Sequence, residues 1–301
     1  MNDVTAMQLQ KRVRSIQSLP TPPVIFRPLM DLFRQPIENV EIKEVTKLVS
    51  YDKSLAALCL RVANSPLFGR AKSTESVQAA VLSLGVRRVE EILLTCCLQQ
   101  MMPKGKWGPD PVAFWKHSLG CAFVSRKFAE MIGYADGEKA YVAGLLHDLG
   151  IVVNAVAYRS EFSAVMAEAS KKQLKLEELE EKRLGFTHCD SGFTLAQVWQ
   201  LPEEVCEVIR FHHHPQAAPQ WSPLVAVVHL CDLLCRLRGL GYGYYEAQEI
   251  DFLADPAWVT LSEQFPKLAQ MDLARFTFDL DGVVGEVALL VDSIFTPTLA
   301  S

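Results

Sequence analysis

Residues 142–153 read Val-Ala-Gly-Leu-Leu-His-Asp-Leu-Gly-Ile-Val-Val, which sets His147-Asp148 in the middle of a run that otherwise carries no charge. A carboxylate buried among such neighbours is costly unless a cation or strong hydrogen-bond donors compensate it. The chain offers partners of the right kind. His117 lies on the inward face of a helical pattern that also holds Phe114, Cys121, Val124 and Phe128; His188 stands in the first turn of a later helix, His212-His213 close another, and Asp232 sits in the apolar stretch Val-Ala-Val-Val-His-Leu-Cys-Asp-Leu-Leu-Cys. Several helices thus each direct one ligand-type side chain inward, which is how helical bundles build metal sites. Seven such groups exceed what one structural ion needs, and a carboxylate next to a histidine can bridge two ions. His214 and His229 are assigned instead to ordinary hydrogen-bonded roles.

Working outward, the apolar periodicity is helical nearly throughout. Val24–Phe33, Ile42–Val49, Leu55–Val62, Val77–Leu84 and Val89–Met101 form a first set of helices, with Gly85 as a C-cap. The segment Pro103–Pro111 (PKGKWGPDP) is rich in proline and glycine and reads as a linker. Beyond it lie Val112–Ile132, closed by Gly133, and Glu138–Ala157 as one helix. Lys171–Arg183 is a solvated helix with Leu174, Leu176, Leu179 and Leu184 inward. Thr187 caps a helix through Trp199, Leu201-Pro202-Glu203-Glu204 opens the next, and Leu224–Leu237 follows. The expectation is an all-α fold in three parts: an N-terminal helical subdomain at 1–105, a helical bundle carrying the ligand residues at 106–240, and an extension at 241–301 that packs back through Val283–Phe295.

Half of the 301 residues are hydrophobic, enough for a real core. A formal net charge of −5, with basic pieces no longer than Lys11-Arg12 with Arg14 and Lys171-Lys172, argues against nucleic acid as a partner. Residues 1–20 have no apolar region of the signal-peptide kind, and no uninterrupted apolar window of membrane length stands out, so a cytoplasmic protein without a membrane partner is expected. The eight cysteines include no CxxC pair and read as reduced thiols in apolar helices.

The set His117, His147-Asp148 and Asp232 resembles the HD superfamily of metal-dependent phosphohydrolases. Asp52, Leu60-Arg61, Ala63-Asn64-Ser65, Leu84-Gly85, Glu181, Gly185, His188, Gly192, Trp199, Leu201-Pro202 and His212-His213 sharpen this to a resemblance to the HDOD family, the HD-related output domains of bacterial signalling. It runs from about Leu19 to about Leu240. It implies N-terminal helices packed against an HD-type bundle, and a regulatory role with a signalling protein or a small phosphorylated ligand as partner. It also implies one or two divalent transition-metal ions, Fe or Mn ahead of Zn or Ni. By the same carry-over Asp148 bridges, His117, His147 and Asp232 complete one ion, and His188, His212 and His213 serve the other.

If the site is catalytic, as in a hydrolase of nucleotides or other phosphoesters, His147 and Asp148 are its centre. Two features weigh against that alternative. The related HD-GYP phosphodiesterases carry a phosphate-binding lysine where this chain has Ile151, and the Gly-Tyr-Pro loop after the paired histidines is replaced by His214-Pro215-Gln216. Phosphate contacts would have to come from Lys116, Arg159 or Arg210. Residues 239–245 (GLGYGYY) read as a flexible aromatic loop between helices. A di-iron oxygen-handling role is compatible with the histidines but not singled out by them.

Overall fold

The computed structural model describes residues 7, 9, 25–33, 35, 39–50, 52–65, 73–101, 110–219, 223–246 and 250–295. The regular structure in them is helical, without a strand. Contacts divide the chain into two compact units, residues 20–102 with 285–301 and residues 103–284 with 1–19. Most of the expected linker, residues 103–109 of 103–111, lies outside the described residues.

In the smaller unit, α1 (Phe26–Phe33), α2 (Ile42–Ser50), α3 (Lys53–Ala63) and α4 (Val77–Leu84) all pack on α5 (Val86–Met101). The helix α3 starts where Asp52 accepts from the backbone N–H of Ser54 and Leu55, the usual carboxylate N-cap. Asn64 ends it and reaches across the following loop, donating to Thr74 O at 3.0 Å and accepting from Thr74 N at 2.7 Å.

The larger unit holds α6 (Pro111–Ile132), α7 (Gly137–Leu146), α8 (Leu149–Ala157), α9 (Arg159–Lys172), α10 (Leu176–Leu184), α11 (His188–Val198), α12 (Glu203–Phe211), a 3-10 turn at Pro215–Ala217, α13 (Pro223–Leu237), α14 (Pro256–Gln264) and α15 (Pro266–Ala269). The last helix, α16 (Leu273–Phe295), belongs to this unit as far as Val284. Three packings place the ligand-type residues: α6 against α7, α13 against both, and α8 against α11. An apolar core built on Val124, Phe128, Val227, Leu230 and Trp258, with Phe276 and Leu280 of α16, supports them from one side.

Two expected helices are interrupted. The stretch Gly137–Ala157 has the length and hydropathy of a membrane span, yet 94% of its apolar window is buried inside the protein. It breaks at His147-Asp148, where Asp148 (φ −95°, ψ 15°) leaves helical geometry and α8 starts afresh. The charged run at 171–183 is also broken: Gln173 takes the left-handed conformation (φ 54°) and Leu174 faces solvent, while Leu176 and Leu179 are buried in α10. Pro202 stands at the N-cap of α12 rather than inside its first turn.

The crossing of α8 and α11 depends on two glycines. A Cβ at Gly150 would collide with the carbonyl of His188, and one at Gly192 would come within 2.9 Å of Gly150 N. Backbone meets backbone there, and this fixes His188 opposite His147-Asp148. Gly150→Ala is expected to cost about 3 kcal/mol, the upper end of what overpacking costs. A denaturant titration beside wild type checks it.

Candidate metal centre

The structure brings all seven predicted residues into one cluster, each from a position its helix dictates. His117 lies on the buried face of α6, His147 and Asp148 at the α7–α8 break, His188 at the first turn of α11, His212 and His213 at the end of α12, and Asp232 on α13. All but His213 are fully enclosed, and the His213 side chain is 8% exposed. An aspartate at an N-cap ordinarily accepts from its own helix; Asp148 makes no such bond and turns its carboxylate to the histidines instead.

That carboxylate straddles two groups. Its Oδ2 lies 3.2 Å from His117 Nε2 and 3.3 Å from His147 Nε2, and Asp232 Oδ1 is 3.2 Å from His117 Nε2. Its Oδ1 lies 3.5 Å from both His188 Nε2 and His212 Nε2, and His213 Nε2 stands 3.0 Å from His188 Nε2.

The outer nitrogens of four rings are claimed by acceptors. Nδ1 of His117 meets Leu240 O at 2.6 Å, that of His147 meets Gly144 O at 2.7 Å, and that of His212 meets Val208 O and Ile209 O at 3.2 and 3.1 Å. His188 Nδ1 meets Glu180 Oε2 at 2.6 Å. Each acceptor receives a hydrogen bond from Nδ1–H, which in the neutral ring leaves the Nε2 lone pair aimed inward. Yet His117 Nε2 and His147 Nε2 are 3.2 Å apart, beside carboxylate oxygens that accept no hydrogen bond from the protein. Lone pairs converge this closely only around positive charge.

Protons meet part of that need. Burial works against a charged His117, but the Asp148 and Asp232 carboxylates outweigh it and raise its pKa to about 10. Burial likewise opposes charge on His212, and Cys189 and Asp148 raise it to about 10. His188 is also raised, Glu180 overcoming burial. His147 and His213 go the other way, lowered by burial and by neighbouring rings. Asp148 is held well below the carboxylate range despite burial, by the histidines around it. In each close pair, His117 with His147 and His188 with His213, one ring is raised and the other lowered, so in the absence of an ion a single proton can be shared between the two Nε2 atoms. Ligand atoms about 2.1 Å from one ion stand about 3.0–3.4 Å apart, and the observed spacings suit a divalent transition metal.

Several functional neighbours were not visible in the sequence. Glu180 is wholly buried; besides orienting His188 it accepts from His188 N at 2.9 Å and from Asn154 Nδ2 at 2.8 Å. Cys121 and Cys189, read as reduced thiols in apolar helices, lie against ligand-type histidines. Cys121 Sγ is 3.7 Å from His117 Nε2, and Cys189 Sγ is 3.8 Å from His212 Nδ1. Burial raises the Cys121 thiol, whereas His212 and His188 outweigh burial and lower that of Cys189. The 239–245 segment is a wall of the site rather than a loose loop. Leu240 supplies the acceptor for His117, and the buried Tyr242 ring packs 5.0 Å from the His117 ring. Arg236 ties this wall down, donating to Asp232 Oδ2 at 2.6 Å and Glu246 Oε2 at 2.7 Å. As expected, His214 and His229 stay outside the cluster: the first pairs with Glu177 at the surface and the second bridges His212 O and Asp255.

A cavity of about 810 Å³ reaches the cluster on one side, where His213, Cys189, Arg236 and Tyr242 line it. Of the three cations considered for phosphate, Arg210 lines this cavity and Lys116 and Arg159 do not. Its guanidinium lies over the Phe193 ring at 4.5 Å. Ile151 is fully buried and takes no part.

A helical protein with a buried, imidazole-rich, carboxylate-straddled cluster is of the HD type. The HDOD domain profile matches residues 19–215, more than half of the chain, and the chain belongs to the HDOD family. An HDOD domain protein of unknown function from Geobacter sulfurreducens is similar in structure, at 31% identity over 98% of this chain and 99% of that one, with a TM-score of 0.84. The fold is shared with a candidate phosphohydrolase from Shewanella amazonensis, 20% identical over 96% and 98% of the two chains with a TM-score of 0.73. It is shared too with a candidate signal transduction protein from Marinobacter aquaeolei, 23% identical over 95% and 66%, TM-score 0.72. An uncharacterised Treponema pallidum protein is 28% identical over 239 residues, 77% of this chain and 44% of that protein. The chain therefore spans less than half the length of this curated relative.

Because Glu180 holds the Nδ1 proton of His188 and raises the ring's basicity, Glu180→Gln is expected to weaken divalent-metal affinity about 10- to 100-fold while the helices stay intact. Competition with a fluorescent chelator, alongside circular dichroism, reads both.

Proposed function

We propose that the chain is a regulatory HDOD module built around a dinuclear metal centre, whose cavity presents that centre to a small ligand. The observation that carries this reading is the Asp148 carboxylate, with one oxygen toward His117 and His147 and the other toward His188 and His212. In this assignment Asp232 completes the first set and His213 the second. Divalent ions in this cradle would supply Lewis acidity to a ligand oxygen. Imidazole with carboxylate suits Fe or Mn, with Zn or Ni as further candidates, and the nearby Cys189 thiol favours the softer of these.

Regulation is preferred to catalysis because, among the described residues, the cavity has no free cluster of cations for a phosphoester. Arg236 is engaged by Asp232 and Glu246, Arg210 stacks on Phe193, and Ile151 is sealed in the core. A second reading, hydrolysis of a phosphoester with His147 and Asp148 at the centre, draws support from the cavity, which is large enough for a nucleotide-sized molecule and touches the outer edge of the cluster.

Elemental mass spectrometry on freshly purified protein is expected to find close to two transition-metal ions per chain, and both should be lost in Asp148→Ala. The same metal-replete protein should turn over bis(p-nitrophenyl) phosphate and cyclic di-GMP no faster than buffer. Turnover abolished by His147→Ala would instead establish the hydrolase.

The protonation pattern gives a separate test. In the cation-free protein His117 and His212, each raised to about 10, hold protons at neutral pH. Each ion must displace one, so affinity should rise as pH increases from 6 toward 10. Calorimetry at pH 7.5 in two buffers of different ionisation enthalpy should show at least one proton released per ion.

A further inference from the structure

Cys189 is placed unlike an ordinary core thiol. All eight cysteines are buried and free of disulfides, and Cys206, for example, donates to the Leu201 carbonyl at 3.6 Å. Cys189 Sγ instead meets imidazole, 3.8 Å from His212 Nδ1 and 4.0 Å from its Nε2. It directly follows His188, so the first turn of α11 delivers a nitrogen and a sulfur to one place. The amide dipoles at that end of a helix favour negative charge, and the thiolate is the form of cysteine that binds metal.

One ligand atom from each of His188, Cys189, His212 and His213 lies within 4.8 Å of the other three. Nitrogen at about 2.1 Å and sulfur at about 2.3 Å from a shared ion stand about 3.6 Å apart. The separation of Sγ from His212 Nε2 exceeds that by only a few tenths of an ångström. A second observation marks the same spot as a cation position. Asp148 Oδ1, 3.5 Å from the Nε2 atoms of His188 and His212, is a buried carboxylate oxygen with no hydrogen-bond partner.

Cys121 makes the corresponding approach to the inner set, with Sγ 3.7 Å from His117 Nε2. It lies in the middle of α6, away from any helix N-terminus, and the Cys235 thiol is its hydrogen-bond partner. Cys189, by contrast, lines the cavity together with His213.

We propose that Cys189 is a thiolate ligand of the outer ion, which makes that position a sulfur-containing site while the inner one has only imidazole and carboxylate donors. This rests on the dinuclear reading above and assigns it a further ligand. Binding breaks the S–H bond, forms a sulfur–metal bond and releases the thiol proton to solvent. The two positions then differ in softness: the outer one favours zinc or cobalt over manganese, and the inner one accepts either.

X-ray absorption on the zinc-loaded full chain and optical spectroscopy of the cobalt(II)-loaded chain test this, with metal content and circular dichroism measured on every sample. Wild type is expected to show a sulfur shell at about 2.3 Å from zinc and a near-ultraviolet sulfur-to-cobalt charge-transfer band. Cys189→Ser should lose the band and bind one of its cobalt ions at least about tenfold more weakly, since loss of an outer-shell partner alone costs that much. Cys121→Ser should keep the band. Should Cys189→Ser fail to fold, the wild-type sulfur shell and its persistence in Cys121→Ser carry the test. Zinc-loaded wild type with nitrogen and oxygen scatterers only overturns this inference alone, as does a band that survives Cys189→Ser or disappears in Cys121→Ser. One ion per chain with a sulfur ligand that is lost in Cys189→Ser overturns the dinuclear reading and upholds this one. Wild type that takes up neither zinc nor cobalt overturns both.

Discussion

The burial of the Asp148 carboxylate constrains everything around it. A charge removed from water loses several kcal/mol of solvation even after relaxation, and only close, well-oriented positive charge restores it. Here the group sits 1% exposed at a break between two apolar helices, with neither oxygen accepting a hydrogen bond from the protein. The break itself serves the carboxylate. A continuous helix would space His147 and Asp148 about 100° apart around one axis; the turn lets both face the same point. The Gly150–Gly192 crossing brings α11 close enough for His188 to reach the second oxygen, and the carbonyls of Gly144, Leu240, Val208 and Ile209 orient the remaining rings. Backbone packing and side-chain chemistry are thus solutions to one electrostatic problem.

The cluster was legible in the sequence because its members break local rules. Asp148 and Asp232 are lone carboxylates in apolar helices, and His117 is a lone imidazole on an inward face, so each needs a partner that its own segment cannot provide. The helices followed from periodicity and from caps such as Gly85, Gly133 and Thr187. What escaped detection obeys local rules while serving a distant group. Glu180 lies within a run of charges that reads as a solvated face, and only the fold shows that it points inward to His188. Cys189 looks like any thiol in an apolar helix, and its significance comes from His212, 23 residues away. The wall at 239–246 has the composition of a flexible turn. It is ordered because Arg236, anchored on Asp232, reaches forward to Glu246, which also accepts from Leu176 N and Tyr244 Oη. No window of sequence contains that network.

The choice between regulation and catalysis turns on where positive charge is free to act. A phosphoryl transfer site needs cations or donors that strengthen as charge develops on the transferred group. Among the described residues the cations that line the cavity are Lys175, paired with Glu178, Arg210, laid over Phe193, and Arg236, held by Asp232 and Glu246, and the residue at the position of the HD-GYP lysine is an isoleucine in the core. Fold alone does not decide the matter, since one fold carries many functions.

The two halves of the cluster are not equivalent. His117, His147 and Asp232 are enclosed by α6, α7 and α13 and take no part in the cavity lining, whereas His213 and Cys189, on the other side of Asp148, form part of it. Structural metal sites are closed and reactive or ligand-responsive ones keep an open side. On the dinuclear reading proposed above, the inner set would hold three helices together and the outer set would face the cavity, with Asp148 common to both.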